Sequence, residues 1–263
     1  MPHEPQVLTP HFVRRRLPDE ATHLDRESRG EGRLLPARTT EWDDLANLVI
    51  SAPALPTLFP CAEDVLRQCA RLVVSEGFPA LEMLARPMDR LLPVLRNVFK
   101  SPERTVVRWG IGTITSREAA LEALQLSPDF LVSPAFSHRV LEVAVEAGVP
   151  YLPGVQSFQD VQDVIDAFDT FGLKPRVLKL CPVFNITPQY VEGIRGCFPG
   201  ISFCPTGEIN LENFVYWKRL PGIVAPMGAD LLPTEIIARG DIEAMRERLQ
   251  LLRALSTEAN AAK

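Results

Sequence analysis

From Pro53 onwards, short apolar runs alternate with helical stretches in cycles of about 20 to 30 residues. This alternation is typical of βα units, because a helix returns the chain to the start of the next parallel strand. Eight runs are predicted to be strands, over residues 54–59, 80–84, 105–110, 130–133, 151–153, 176–180, 201–204 and 223–226. The helices predicted between and after them include residues 62–76, 117–126, 138–147, 157–171 and 241–255. The pattern favours an α/β fold of the (β/α)8 TIM-barrel type over a doubly wound sheet, which a strand count alone does not eliminate.

The chain ahead of this pattern has two parts. Residues 1–38 are rich in charge, proline and glycine and carry no sustained apolar period, so we expect a loose N-terminal extension, either a solvated tail or a contact arm. A capping-box-like start at Thr40 opens a short amphipathic helix with Leu45 and Leu48 on its apolar side, placed to close the bottom of a barrel. A TIM-barrel domain is therefore predicted over residues 39–263.

Charge and cysteine content limit the expected partners and compartment. A formal net charge of -5 gives no basic surface for a phosphate backbone, so we expect a small-molecule partner and no nucleic acid. The 5 cysteines lack C-x-x-C spacing and the 4 histidines form no metal-binding cluster, which favours a reducing compartment and no metal. No run approaches the roughly 18 apolar residues of a membrane span, and no cleavable leader is recognisable, so a cytoplasmic location is expected.

One lysine interrupts an apolar strand. An ammonium group at Lys179 is costly to desolvate in such a run unless the protein uses it. Strand alternation places Val177 and Cys181 on the same face as Lys179. The neighbours Leu178 and Leu180 then point the other way. In a barrel the first face points inward, and a lysine in an apolar pocket loses basicity and becomes a nucleophile towards carbonyl groups.

A second ionisable residue, Glu82, interrupts the apolar strand over residues 80–84 in the same way. Strands two and six lie on opposite sides of an eight-stranded barrel, whose interior is just wide enough for side chains to meet or for a small molecule. Glu82 and Lys179 can therefore face each other, either as a catalytic pair or as a buried structural ion pair. Polar residues, glycines and prolines cluster after the strands, where the chemistry of TIM barrels takes place.

Six segments of the chain read, in order, ALEMLAR, GIGTIT, FLVSPAF, PYLPGV, VLKLCP and FCPTGEIN. They resemble the ordered motifs of the 2-keto-3-deoxy-6-phosphogluconate / 4-hydroxy-2-oxoglutarate (KDPG/KHG) aldolases, class I pyruvate aldolases with a TIM-barrel fold. The resemblance runs from about Pro53 to the C-terminal helix. It implies a lyase that reversibly cleaves a 2-keto-3-deoxy sugar acid or another 4-hydroxy-2-oxo acid to pyruvate and an aldehyde. It also implies a homotrimer that needs no cofactor.

The resemblance assigns roles to individual residues. Lys179 matches the Schiff-base lysine of the family, Glu82 its general acid/base, and Arg86 the arginine that binds the substrate carboxylate. The other candidates match the pyruvate pocket and the phosphate-binding loops after the last two strands: Thr113, Pro134, Thr206, Gly207 and Gly228. Without the resemblance, Arg86 is equally an exposed arginine at a helix start. Thr113 could then only satisfy backbone groups, and Pro134 could only shape a turn.

The two loops depart from the pattern of the family. Members that act on phosphorylated substrates have Thr-Gly-Gly and Gly-Gly-Ser, whereas this chain has Thr-Gly-Glu at 206–208 and Met-Gly-Ala at 227–229. A carboxylate at Glu208 can use the helix-end amides that a phosphate needs, and Ala229 lacks a hydroxyl donor. We therefore hypothesise that the aldehyde half of the substrate is unphosphorylated. The alternative is a Glu208 that faces solvent while backbone amides of the loops still hold phosphate.

Two further departures affect the pocket. Cys181 stands where the family has an aromatic residue and is either inert filler or a thiol that tunes the enzyme, and Leu84 replaces a threonine. Together with Glu208, these changes leave open a non-catalytic barrel with a binding or regulatory role, against which the retention of Lys179 and Glu82 argues. A metal-dependent pyruvate aldolase would need more ligands at the strand ends than Glu82 and Glu208.

Overall fold

The computed structural model describes residues 39–263, and the extension expected over residues 1–38 lies outside the described residues. Helices alternate with parallel strands along this range, which gives an α/β fold. The strands are β1 (Leu55–Leu58), β2 (Ala80–Leu84), β3 (Arg108–Gly112), β4 (Phe130–Val132), β5 (Tyr151–Leu152), β6 (Gly154–Val155), β7 (Val177–Leu180), β8 (Ser202–Pro205) and β9 (Met227–Gly228). The helices are α1 (Thr39–Ser51), α2 (Glu63–Ser75), α3 (Met88–Val98), α4 (Arg117–Leu124), α5 (His138–Ala147), α6 (Phe158–Asp169), α7 (Pro188–Cys197), α8 (Leu211–Arg219), α9 (Thr234–Arg239) and α10 (Ile242–Ala261).

The strands form two parallel sheets. Their orders are β5-β4-β3-β2-β1-β9 and β6-β7-β8. Only Pro153 separates β5 from β6, and its carbonyl accepts a hydrogen bond from the Lys179 amide in β7. An isolated parallel bridge joins Phe203 of β8 to Ile223. The sheets make a half-barrel, and the eight continuous strands predicted from the sequence are not all formed.

Three of the predicted strands differ from those observed by more than one residue at an end. The third begins at Arg108 instead of residue 105, because Pro102–Thr105 forms a short 3-10 helix. A proline suits the first turn of such a helix and has no amide to donate to a sheet. The fifth is divided at Pro153 for the same reason. The eighth, expected over residues 223–226, contributes only the bridge at Ile223, and β9 begins after it.

The strands are buried on both faces, as parallel strands covered by helices usually are. One face belongs to a large apolar core that includes Leu178 and Leu180. The other face carries a smaller cluster that packs against α1 and includes the first residues of four strands, Leu55, Ala80, Phe130 and Val177. Burying a valine, leucine or phenylalanine side chain fully contributes roughly 1.5–3 kcal/mol. Helix α1 therefore covers the amino ends of the strands and leaves their carboxyl ends accessible.

Candidate active site

A cavity of about 320 Å³ opens at the carboxyl ends of the strands. This volume lies in the range of small-molecule sites. Every site residue indicated by the sequence lines this cavity: Glu82, Arg86, Thr113, Pro134, Lys179, Cys181, Thr206, Gly207, Glu208, Gly228 and Ala229. The fold thus brings together residues that are scattered over the sequence. Their chemical roles remain predictions.

Lys179 of β7 and Glu82 of β2 meet at the base of this cavity. The Lys179 Nζ lies 3.4 Å from Glu82 Oε1, and the two side chains are only 8% and 1% exposed. Leu178 and Leu180 point into the large core, so the alternation predicted for β7 is confirmed. An ion pair offsets part of the cost of burying two charged groups. The base of the cavity therefore presents an amine beside a carboxylate.

Two neighbouring strands hold the Glu82 carboxylate. Parallel pairing of β1 with β2 places Thr57 next to Glu82, and the Thr57 hydroxyl donates a 2.9 Å hydrogen bond to Glu82 Oε2. On the β3 side, a Cβ at Gly112 would overlap Glu82 Oε1, so only glycine leaves room for the carboxylate. The sequence reasoning missed Thr57. The signal was the same as for Lys179, a polar side chain within an apolar strand.

Two lining residues have a left-handed backbone. The φ angles of Thr113 and Glu208 are 66° and 59°. Residues other than glycine adopt such angles at a cost of roughly 1–3 kcal/mol, which the surrounding structure must impose. This strain is concentrated at functional sites in general, which is consistent with a functional role for the loops that carry these two residues.

Arg86 and Cys181 line the cavity with different properties. The Arg86 guanidinium lies 5.8 Å from the ring centre of Phe59, a lining residue that the sequence reasoning did not single out, and it is otherwise exposed to solvent. A cation over an aromatic face has a restricted orientation that leaves its paired donors available. Burial raises the pKa of the Cys181 thiol, and the nearby Lys179 charge lowers it by less. The thiol is therefore protonated at neutral pH, which favours the interpretation as inert filler.

The N-terminus of α8 lies beside the loop that follows β8. The expectation that Glu208 uses its free amides is wrong, because Asn210 caps this helix. The Asn210 Oδ1 accepts hydrogen bonds from the amides of Glu212 and Asn213, at 2.9 and 3.2 Å. The Asn213 Oδ1 in turn accepts from the Asn210 amide, at 3.0 Å. Side chains at the start of the helix therefore already accept from three of the backbone amides that an anion could use.

This end of the cavity is acidic. Glu208 and Asp230 are both exposed and both line it. Asp230 was missed because its position after β9 gave no sequence signal. The Thr206 hydroxyl donates to the Met227 carbonyl at 3.0 Å, so its hydrogen is already used in joining the end of β8 to β9. Among the described lining residues, the cationic side chains are Lys179 and Arg86, and neither belongs to these loops.

Within residues 39–263, no group of three or more histidine, cysteine, aspartate or glutamate side chains is arranged to hold a metal ion. Over the same range, no helix has the length and apolar character needed to cross a membrane. The residues present can nonetheless carry out chemistry. A buried amine can add to a carbonyl carbon, the adjacent carboxylate can move protons, and an arginine can bind a planar carboxylate.

Comparisons with known proteins agree on one family. The model of the family described as KDPG and KHG aldolase matches residues 46–248. The 2-dehydro-3-deoxy-phosphogluconate aldolase of Pseudomonas aeruginosa is 28% identical over 208 residues, which are 79% of this chain and 89% of that protein. A crystal structure of a 4-hydroxy-2-oxoglutarate / 2-dehydro-3-deoxyphosphogluconate aldolase is 30% identical with a TM-score of 0.67 and covers 80% of this chain and 97% of its own.

A further structure shares the fold at lower identity. It is the KDPG aldolase of Legionella pneumophila with pyruvate captured as a covalent carbinolamine, and it is 20% identical with a TM-score of 0.69. The similarity covers 79% of this chain and 97% of that one.

Proposed function

The chain belongs to the KDPG and KHG aldolase family, and we propose that it is a class I aldolase that holds its 2-oxo acid substrate as an imine on Lys179. The observation that carries this proposal is the buried pair of Lys179 and Glu82 at the base of a cavity of substrate size. The carbinolamine described for the Legionella pneumophila relative is the intermediate that precedes such an imine.

The proposed reaction uses groups already adjacent to one another. The Lys179 amine adds to the ketone carbon of a 4-hydroxy-2-oxo acid, water leaves, and the resulting iminium accepts the electron pair of the breaking bond between C3 and C4. Glu82 takes the proton of the 4-hydroxyl as the aldehyde departs, and returns a proton to C3 of the enamine. Water then hydrolyses the imine and releases pyruvate.

The remaining roles are proposed by position. Arg86 binds the carboxylate of the oxo acid, since its guanidinium lines the same cavity and offers paired donors. Thr113 and Pro134 form the wall beside the pyruvate unit. Gly207 and Gly228 let the loop backbones approach the aldehyde half, and Thr206 joins these loops through Met227.

Trapping with borohydride tests the imine directly. The protein is incubated with pyruvate, reduced with borohydride and digested, and the modified peptide is identified by mass spectrometry. We expect the adduct on Lys179 and none in the Lys179→Met variant. An adduct on another lysine, or no adduct, would reject the proposed aldolase mechanism and favour a barrel with a binding or regulatory role.

Two features of the architecture are part of the proposal. We propose that the sheets close into a full (β/α)8 barrel, supported by the bridge from Phe203 to Ile223, by the bond from the Lys179 amide to Pro153 and by the pairing of β1 with β9. We also propose a homotrimer without a cofactor, as the family resemblance implies, and a cytoplasmic location, which the lack of C-x-x-C spacing among the cysteines favours. Sedimentation equilibrium tests the trimer, and a monomeric mass would reject it.

The aldehyde half of the substrate is proposed to be unphosphorylated. The carboxylates of Glu208 and Asp230 repel a phosphate dianion at this end of the cavity. The Asn210 side chain already accepts from the amides of Glu212 and Asn213 in the first turn of α8. We expect kcat/KM for a 2-keto-3-deoxy sugar acid to exceed that for its phosphorylated form. Glu208→Gln should reduce the difference in kcat/KM between the two substrates. A wild-type preference for the phosphorylated substrate would reject this proposal.

A further inference from the structure

We propose that Thr57 is a positioning residue whose hydroxyl holds the Glu82 carboxylate in place while Glu82 gives and takes the proton. The inference rests on the proposed function, because it presupposes that Glu82 transfers a proton to and from a substrate attached to Lys179. It adds a residue that neither the family resemblance nor the strand-end motifs indicated.

The two oxygens of Glu82 have different partners. Oε1 faces the Lys179 amine at 3.4 Å, and Oε2 accepts the hydrogen bond of the Thr57 hydroxyl at 2.9 Å. In residues 39–263, these are the side-chain hydrogen bonds that Glu82 makes. Oε1 therefore lies beside the atom on which the imine forms and is the oxygen that exchanges protons with the substrate, whereas Oε2 serves to fix the carboxylate.

The bond between Thr57 and Glu82 is buried. Thr57 is 4% exposed and Glu82 is fully buried. Parallel pairing of β1 and β2 places the two residues side by side, so the backbone fixes the donor relative to the acceptor. A hydrogen bond to a charged acceptor in such a site is worth more than one at the surface, and losing it would leave a buried carboxylate oxygen without a partner.

The Thr57 hydroxyl also has a second acceptor. Its Oγ1 lies 3.4 Å from the carbonyl oxygen of Leu55, and a hydroxyl has one hydrogen and two lone pairs. When Glu82 is ionised, the hydrogen points to Oε2, which is closer and charged. When Oε1 has taken up the proton, Oε2 is a carbonyl oxygen that still accepts the Thr57 hydrogen, and the Leu55 carbonyl remains a second acceptor. Thr57 therefore has a partner in both protonation states of Glu82 and can stay in place throughout the cycle.

Gly112 of β3 also faces the Glu82 carboxylate, and it cannot orient it. Gly112 supplies space but no polar side chain against Oε1. Without the Thr57 hydroxyl, the side-chain hydrogen bond that Glu82 keeps within residues 39–263 is the one from the Lys179 amine. That amine becomes part of the imine when substrate binds. Thr57 is then the remaining side-chain donor that orients Glu82 during proton transfer.

The test separates proton transfer from imine formation. The full chain is incubated with pyruvate in deuterium oxide, and exchange of the methyl protons, which requires the enamine, is followed by NMR. Thr57→Val keeps the side-chain volume but removes the hydroxyl, and we expect the exchange rate to fall about 10- to 100-fold. Thr57→Ser restores the hydroxyl and should recover most of the rate. Borohydride trapping at Lys179 after long incubation should be equal in all three proteins.

A matched control is available in Thr170, whose hydroxyl donates to the Ala167 carbonyl at 2.7 Å away from the cavity lining. Thr170→Val should leave exchange unchanged. An exchange rate in Thr57→Val equal to that of the wild type overturns the inference. An equal loss of exchange rate in Thr57→Val and Thr57→Ser also overturns it, because it would indicate that Thr57 acts by packing alone. Failure of the wild-type protein to trap pyruvate would reject the proposed function itself, and this outcome is distinct because it does not involve Thr57.

Discussion

Two lysines are buried in this fold, and they differ in what surrounds the amine. Counted over the whole residue, Lys179 is 6% exposed and Lys218 is 3% exposed, so burial does not distinguish them. The Lys179 amine faces Glu82 in a cavity, whereas the Lys218 amine donates a 3.1 Å hydrogen bond to the Ala52 carbonyl just after α1. The first amine has a space beside it for a substrate, and the second secures the end of a helix.

A lowered pKa occurs at a lysine outside the cavity lining. Burial lowers the pKa of Lys218 to about 8, and the charge of Lys263 adds a smaller effect in the same direction. A lowered lysine pKa is often a sign of catalysis. Here it follows from packing at the covered end of the strands. The comparison teaches that a reactive lysine is defined by an adjacent cavity and a carboxylate that can move protons, and that burial alone is insufficient.

The largest expected effect separates the two lysines directly. Lys179→Met should reduce aldol cleavage by at least about 10⁴-fold, because no imine can form. Lys218→Met should keep kcat and KM close to those of the wild type. Pyruvate release, coupled to a dehydrogenase, measures both variants. A large loss of activity in a well-folded Lys218→Met variant would contradict the different roles given to the two lysines.

The next largest effect is expected when the carboxylate that distinguishes Lys179 from Lys218 is removed. Glu82→Gln should lower kcat by roughly 10²- to 10⁴-fold, the usual contribution of general acid–base catalysis. Trapping of pyruvate by borohydride should still reach completion, since the amine remains. Single-turnover kinetics and trapping measure the two steps separately. Unchanged kcat would show that another group moves the proton.

A smaller effect is expected from a substitution that displaces the Glu82 carboxylate without removing it. In Gly112→Ala the new Cβ would overlap Glu82 Oε1, so the carboxylate must leave its present position beside Lys179. We expect kcat to fall about 10- to 100-fold, because small displacements of catalytic groups are costly. Gly196→Ala is a matched control, since a Cβ there meets no atom within 4 Å. Equal kcat in the two variants would contradict the assigned position of Glu82.

The smallest effect concerns Lys218 and appears in stability alone. The unfolded chain binds the Lys218 proton up to about pH 10.5 and the folded chain only up to about pH 8, so stability rises with pH across this window. Relative to Lys218→Met, the free energy of unfolding of the wild type should rise by on the order of 3 kcal/mol between these pH values. Urea denaturation at several pH values measures it, and a flat difference would contradict the assignment.

Much of the site was recognisable because polar residues interrupt apolar strands. Lys179 and Glu82 have this signature, and so does Thr57, which was overlooked because a threonine is common in strands and carries no charge. Lys218 lies among aromatic residues of α8, where helical periodicity does not predict a buried amine. The sequence analysis let Glu208 use the amides at the start of α8 and did not identify Asn210 as the cap, because the exact start of a helix is poorly defined in sequence.

The sequence by itself determined the α/β fold, the order of strands and helices and the two ionisable residues that interrupt apolar strands, because periodicity and interrupted apolar runs are local properties. Only the tertiary structure decided that Thr57 donates to Glu82, that Gly112 leaves space for it, and that one buried lysine borders a cavity while the other does not. These facts depend on strand register and on packing between distant segments. No local pattern specifies distances between residues such as 82 and 179.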